Sequence, residues 1–430
     1  MFLFVLGVVI ILVGLLLSIA LHELGHLIPA KLFGVRVSQY MIGFGKTLFS
    51  FTRGETQYGV KMLPLGGYIA MDGMFPPNRD GEPNALSTTG FVQPSAAERT
   101  HLVEGERAAD PDDARSFYRL AVWKRVIIML GGPFMNLVIC VTLFTIMLMG
   151  IGVQQYSTTI SSVSACIPAA ASTSECSASD PLSPAKQAGL HSGDRIVSIN
   201  GNTIDSWNQL AAAIQKSPDR PLSIVVNRDG HEITMAITPA AVSSAGENSS
   251  GKTETTGVIG IVPQTPYVRQ PFSAVAQTVG QQASATAGVI VNLPNRMVSV
   301  WNAAFGSGAR EANTPMSIVG VGRAAGEVAS LPGVPIFDKL FYVLGILASL
   351  NMALFLFNLI PLPPLDGGHI AGALWEGLRR SVAKVFRRRD PGPVDMTKLM
   401  PVTFTVIVIF GAMSLLLMYA DIVKPVNLFG

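Results

Sequence analysis

The chain has 430 residues, enough for two or three folded units by length alone. Hydrophobic residues make up 49% and charged residues 14%, with a mean hydropathy of +0.42; this excludes an ordinary soluble globule and points to an integral membrane protein with polar inserts. A net charge of +3 is too small to argue for nucleic acid, and no basic patch is interleaved with aromatics.

Residues 2–21 are apolar and uncharged, long enough to cross a bilayer. A cleaved signal peptide would carry a basic n-region and a shorter apolar core, and neither is present. Residues 1–33 are therefore read as a retained first span that continues through His22-Glu23-Leu24-Gly25-His26 to about Phe33. Two histidines four apart rise about 6 Å along a helix and share one face. That spacing suits two imidazole nitrogens on one Zn²⁺, with Glu23 beside the metal as a base rather than a ligand. Ionisable groups at membrane depth are costly and mark function. Lys31 is the first basic residue, which sets the metal face on the order of 13 Å below the surface it marks.

Residues 34–75 change character. Segments 37–45 and 48–51 read as extended, 53–56 as a turn and 58–63 as a returning strand, followed by Pro64-Leu65-Gly66-Gly67-Tyr68. A sheet edge cannot face lipid, so this hairpin either lines a protein-walled cavity or lies at the surface. In a cavity it could accept an extended substrate as an added strand; the alternative is a plain surface loop. Residues 76–122 are polar, without periodicity up to about 116, and read as a flexible cytoplasmic insertion. Residues 123–153 form a second span, in which Gly131-Gly132-Pro133 permits close helix approach and Asn136 is expected to hydrogen-bond a neighbouring span. Cys140 falls inside it as a packing residue.

Residues 154–264 form a soluble insert. Alternating Ile196, Val197 and Ile199 end at Asn200-Gly201, residues 207–216 read as an amphipathic helix, and Asp229-Gly230 turns between strands at 224–226 and 233–237. This pattern resembles a bacterial PDZ domain, with Gly189-Leu190 near the peptide-carboxylate loop. Cys166 and Cys176 flank a polar loop, either as a disulfide or as two free thiols.

Residues 265–336 are Ala-, Ser- and Gly-rich and read as a linker with interfacial helices. Residues 337–372 hold the third uncharged run and the segment from Asn358 to Asp366-Gly367-Gly368-His369, an Asn and an Asp eight apart across a proline-broken helix. Unwound backbone at membrane depth is tolerated where it lines a polar site, and Asp366 can supply the oxygen ligand that two histidines lack. Residues 373–398 are a basic segment, and 399–424 the fourth span. Lys and Arg cluster so that the loops after the first span, before the second and after the third are cytoplasmic, which puts the 154–264 insert outside.

Taken in order, the HELGH, GGY, Gly132-Pro133-Phe134-Met135-Asn136, PDZ-like and Asn358…Leu365-Asp366-Gly367 elements resemble the bacterial site-2 proteases, in particular the regulator-of-sigma-E type that cleaves membrane-spanning anti-sigma factors. The resemblance implies a polytopic α-helical membrane protein of about four transmembrane helices, with a reentrant β-hairpin and one inserted extracytoplasmic α/β PDZ domain, in the plasma membrane. It implies an intramembrane zinc metalloendopeptidase in which His22, His26 and Asp366 bind Zn²⁺, Glu23 is the catalytic base, and Asn358 holds the substrate backbone or the oxyanion. Gly66, Gly67, Tyr68 and Asn136 fall to substrate binding, and Gly189 and Leu190 to the PDZ groove. The partners so implied are the lipid bilayer, a transmembrane substrate such as an anti-sigma factor, and an upstream site-1 protease. A single PDZ domain and the 76–116 insertion depart from some relatives. Two rival readings remain: an idle membrane scaffold, against which the intact Glu23 argues, and a metal-ion transporter, which would want more intramembrane acidic or histidine residues.

Overall fold

The computed structural model describes residues 1–74, 115–167, 176, 180–244, 254–306, 310, 314–394 and 396–426. Most of the 76–116 insertion lies outside them. The chain divides into two compact units, one formed by 1–151 with 271–430, the other by 152–270. In the first, helix α1 (Phe2–Leu32) leads into two long strands, β1 (Val37–Arg53) and β2 (Thr56–Met71). The turn between them uses Gly54 at φ +66°, and Arg115 clasps Glu55 through two bonds of 2.9 and 2.6 Å. The register is more than a simple hairpin. Residues 49–53 face 56–60, while Met41 lies opposite both Tyr68 and Gly59, so that 39–42 has neighbours on either side. Toward the tip, Leu48, Phe49, Phe51, Met62 and Leu63 are exposed. Helix α2 (Val122–Thr145), extended by a π-turn to Ile151, follows.

The second unit begins with β3 (Val153–Gln154), β4 (Ile160–Val163), the short α3 (Pro184–Gln187), β5 (Arg195–Ile199), β6 (Asn202–Thr203) and α4 (Trp207–Gln215). It continues through β7 (Leu222–Arg228), β8 (His231–Ile237), β9 (Ala240–Ser244), β10 (Glu254–Val258), β11 (Ile261–Pro263) and β12 (Tyr267–Val268). The main sheet has the order β6-β5-β7-β8, and β9–β10, β4–β11 and β3–β12 pair separately. Both predicted two-residue turns are present, with positive φ at Asn200, Gly201, Asp229 and Gly230, as the right-handed twist of hairpin strands requires. Ala185, Leu190, Ile196, Leu210, Ile224, Val226 and Ile237 fill its core. Cys166 and Cys176 are joined in a disulfide.

Back in the first unit, α5 (Phe272–Val291), α6 (Leu293–Phe305), α7 (Ile318–Ser330), α8 (Ile336–Asn358), α9 (Asp366–Val385) and α10 (Met400–Val423) complete the chain. Helix α7 is not legible in the Gly- and Ala-rich 265–336 segment. It packs on α1 because Gly7 and Gly326 lack side chains: a Cβ on Gly7 would fall 2.5 Å from the Ala325 carbonyl oxygen, and one on Gly326 2.7 Å from the Phe4 ring. The buried carboxylate of Asp421 on α10 ties α7 down, accepting from Arg310 and from the Ser317 N–H at 2.6 Å. The segment read as a basic stretch from 373 is helical as far as Val385, a continuation of the helix that begins at Asp366. Helices α1, α2 with its π-turn, α8 and α10 are long and apolar enough to cross a membrane, as in a multi-pass membrane protein.

Candidate metal centre

His22 and His26 lie one turn apart on α1, and Asp366 opens α9, where the helix N-terminus favours a negative charge. His22 Nε2 and His26 Nε2 are 3.3 Å apart, and Asp366 Oδ2 is 3.4 Å from each. Ligands placed tetrahedrally at about 2.0–2.1 Å from a zinc ion stand about 3.3–3.4 Å from one another. The three atoms therefore form one face of a zinc tetrahedron. Among the described residues this trio is the group of acidic, His or Cys side chains arranged to hold a metal. Asp366 Oδ2 is buried and accepts no hydrogen bond, an uncompensated acceptor of the kind a cation satisfies. The donor set fits Zn²⁺, and a fourth position remains for water or substrate.

The tautomers follow from the ring nitrogens facing away from the trio. His26 Nδ1–H donates to the Ile128 carbonyl on α2 at 2.8 Å, which leaves Nε2 with its lone pair. Asn136, fully buried on the same helix, brings its side-chain amide to 3.0 Å from His22 Nδ1 while its Oδ1 has no partner. Turning that amide over sets the oxygen against Nδ1–H, satisfies the orphaned acceptor and frees His22 Nε2 as well.

Close backbone approach brings the two helices together. A Cβ on Gly25 would fall 2.3 Å from the Gly131 carbonyl oxygen, and one on Gly131 2.0 Å from that of Gly25. Gly132 is tighter in function: its Cβ would lie 2.2 Å from His26 Nε2 and 2.7 Å from His22 Nε2. Gly367 and Gly368 likewise permit the loop between α8 and α9 to fold against the start of α9, with carbonyls of Leu359 and Ile360 and the backbone of Pro363 where side chains would be.

Glu23 is buried, and β2 passes directly against it: a Cβ on Gly67 would fall 2.8 Å from Glu23 Cγ. Gly66 lies against the Phe44 ring. Tyr68 is buried, and its hydroxyl donates to Gln39 Oε1 at 3.1 Å. Asn358 is the last residue of α8, one loop before Asp366. Gly189 and Leu190 belong to the second unit, where Gly189 takes φ +78° and its carbonyl accepts from Arg228 at 2.8 Å.

Sequence reasoning named the three residues that the structure brings together and expected Asn136 to bond a neighbouring span, without naming His22 as what it meets. The Ile128 carbonyl carries no side-chain signal. Gly132 read as a packing glycine, and Gly67 as part of a substrate-binding element rather than as the residue that lies against Glu23. A buried pair, Asn351 Nδ2 donating to Ser18 Oγ at 3.0 Å, joins α8 to α1 one turn before His22; an Asn within an uncharged helix was the available sign.

Residues 10–388 match the model of Peptidase family M50. The chain is 33% identical to "Zinc metalloprotease Rip1" of Mycobacterium tuberculosis over 99% of both chains. It is also 28% identical to "Metalloprotease MmpA" of Caulobacter vibrioides, over 87% of this chain and 88% of that one. With "Regulator of sigma-W protease RasP" of Bacillus subtilis the identity is 24%, over 83% and 87%. The family match spans the segments that carry His22, His26 and Asp366, and the chain accordingly belongs to Peptidase family M50, the site-2 proteases, as a membrane-embedded zinc metalloprotease.

Proposed function

We propose that His22, His26 and Asp366 hold the zinc ion and that Glu23 is the general base with which this chain cleaves peptide bonds inside transmembrane segments. The observation that carries the reading is the 3.3–3.4 Å triangle of ligand atoms. Zinc, when bound, supplies Lewis acidity toward a peptide carbonyl and lowers the pKa of a water. Glu23, next to His22 and screened from bulk solvent, takes the proton of the attacking water and passes it to the departing amine nitrogen. Asn136 and the Ile128 carbonyl hold the imidazoles in the tautomer that leaves both Nε2 atoms free.

Asn358 works at the same depth. Gly14 meets Leu347 and Ser18 meets Asn351, so α1 and α8 advance in the same direction. Asn358 lies two turns beyond Asn351, about 10 Å further along, which brackets it between His22 and His26. From there its amide can hold the substrate backbone or the developing oxyanion.

The β1–β2 sheet is a membrane-reentrant element. Its exposed apolar tip suits lipid, and its 67–71 edge beside Glu23 offers main-chain groups to an unwound substrate. A helix must unwind before its carbonyls can be attacked, and strand addition at this edge stabilises that form.

The second unit acts as an extracytoplasmic PDZ domain. Its disulfide suits an oxidising compartment. Arg228 holds the Gly189-Leu190 loop through the Gly189 carbonyl and Asp194. It excludes substrates with intact outer domains, which makes a prior cut by a site-1 protease part of the scheme. The printed name of the Bacillus subtilis relative, a regulator of sigma-W, supports a membrane-bound anti-sigma factor as substrate class.

The test is co-expression with a single-span anti-sigma-type substrate already trimmed of its outer domain. Native protein should cleave it, and Glu23→Gln should not while retaining zinc. Equal cleavage by both would remove Glu23 from the mechanism.

A further inference from the structure

Helix α9 carries two unlike faces beyond the metal. On its inner face Glu376 is buried, receiving Arg125 of α2 through bonds of 3.1 and 2.5 Å and the Val394 N–H at 3.0 Å. The last contact pins the chain that returns from the helix end. The Arg388 N–H donates to the Ala383 carbonyl at 2.8 Å, so this segment folds back along α9 at once. On the outer face Trp375, Leu378, Val382 and Val385 recur at helical spacing, and all are exposed.

A groove of about 340 Å³ lies between the helix and the returning segment, with Trp375, Leu378 and Val382 beside Arg379, Arg388 and Arg389. Arg380 is paired, 3.1 Å from Glu376 and 3.5 Å from Asp390. Among the described residues, no carboxylate lies within ion-pair distance of Arg379, Arg388 or Arg389. The groove therefore joins three guanidiniums that lack a carboxylate partner, Arg379 among them reaching only the Pro391 carbonyl at 3.5 Å, to an apolar wall.

We propose that this groove binds an anionic phospholipid, with the phosphodiester on the arginines and the first acyl methylenes along Trp375, Leu378 and Val382. Guanidinium groups pair with phosphate oxygens through two parallel bonds and desolvate more readily than ammonium. Helix α9 follows the candidate span α8 and precedes α10 in the chain, and at the ends of spans Trp side chains and basic clusters meet anionic headgroups. Free phosphate would leave the apolar wall exposed. An acidic polypeptide would use the arginines and likewise ignore Leu378 and Val382. The proposal does not depend on the catalytic assignment.

The full chain would be reconstituted in phosphatidylcholine nanodiscs containing a minor fraction of brominated phosphatidylglycerol or, separately, brominated phosphatidylcholine, and tryptophan quenching compared. The expected result is stronger quenching by the anionic lipid, with the excess lost in Trp375→Phe. Removing Arg379, Arg388 and Arg389 one at a time as Arg→Gln should lower relative affinity by roughly five-fold each, a graded loss that unfolding would not produce. Equal quenching by the two lipids in the native protein would overturn the proposal, as would an excess that survives the triple Gln variant. Abolition of the excess by poly-glutamate but not by added phosphatidylglycerol would assign the arginines to an acidic polypeptide instead, and overturn it too.

Discussion

Gly132 meets His26 so closely that a methyl group on its Cα would stand 2.2 Å from the imidazole Nε2. At Gly132, helix α2 thus meets the imidazoles with main chain, while Asn136 one turn further on supports His22 with its side chain. Gly132→Ala should displace both imidazoles, and the expected outcome is loss of stoichiometric zinc in the purified protein, with proteolysis reduced at least about a hundredfold. Gly411→Ala in α10, where an added Cβ meets nothing within 4 Å, is the control and should leave both unchanged.

Asn136 permits a sharper test of the imidazole support. Asn136→Leu removes the acceptor for His22 Nδ1–H and should weaken zinc binding by about 10–100-fold, read by competition with a chromogenic chelator. Asn136→Asp restores an acceptor and should recover most of the affinity. If Asp were as damaging as Leu, the amide would be donating to His22 instead.

The Arg125–Glu376 pair couples the helix that walls the metal to the helix that begins at Asp366. Breaking a buried pair leaves a charge without a partner, so Glu376→Ala should cost about 3–5 kcal/mol and appear as a lower thermal midpoint in detergent. Arg125→Met combined with Glu376→Met should recover a large part of that loss, because a matched apolar pair avoids the isolated charge.

In the second unit, hydrogen bonds from Arg228 hold the Asp194 carboxyl below the usual carboxylate range. A depressed folded-state pKa contributes stability that is complete above the unfolded value of about 3.9 and fades as pH falls toward the folded value. Hydrogen exchange in peptides covering 189–199 and 222–228 should be insensitive to pH-corrected changes between neutrality and about pH 5, then accelerate below about pH 4. Arg228→Gln should speed exchange there at neutral pH.

The chemistry of the site was legible because it is written in residue types with few other uses at membrane depth: two histidines four apart, a glutamate beside one of them and an aspartate after a proline-broken helix. The hairpin strands were legible as extended segments, but not the double pairing of Met41 with Tyr68 and Gly59, since register depends on what the sheet packs against. Helix α7 was hidden because Gly320, Gly322 and Gly326 lower its apparent propensity, and its burial depends on Gly7 in a distant helix. The groove on α9 was read as a run of basic residues; its apolar wall becomes apparent once the chain folds back at Arg388.

The contact of Gly25 with Gly131 places the backbones of the two helices against each other at the level of the ligands. Side chains usually give a metal site some slack, since a rotamer can swing to accommodate a wider ion. Here both imidazoles stand on α1, and on the side of α2 they meet the main chain at Gly132, so neither ring can swing toward that helix to take a wider ion. Calcium, which takes six to eight oxygens at longer distances, is refused by the ligand chemistry, and the close crossing of α1 and α2 leaves the imidazoles no room to retreat on that side.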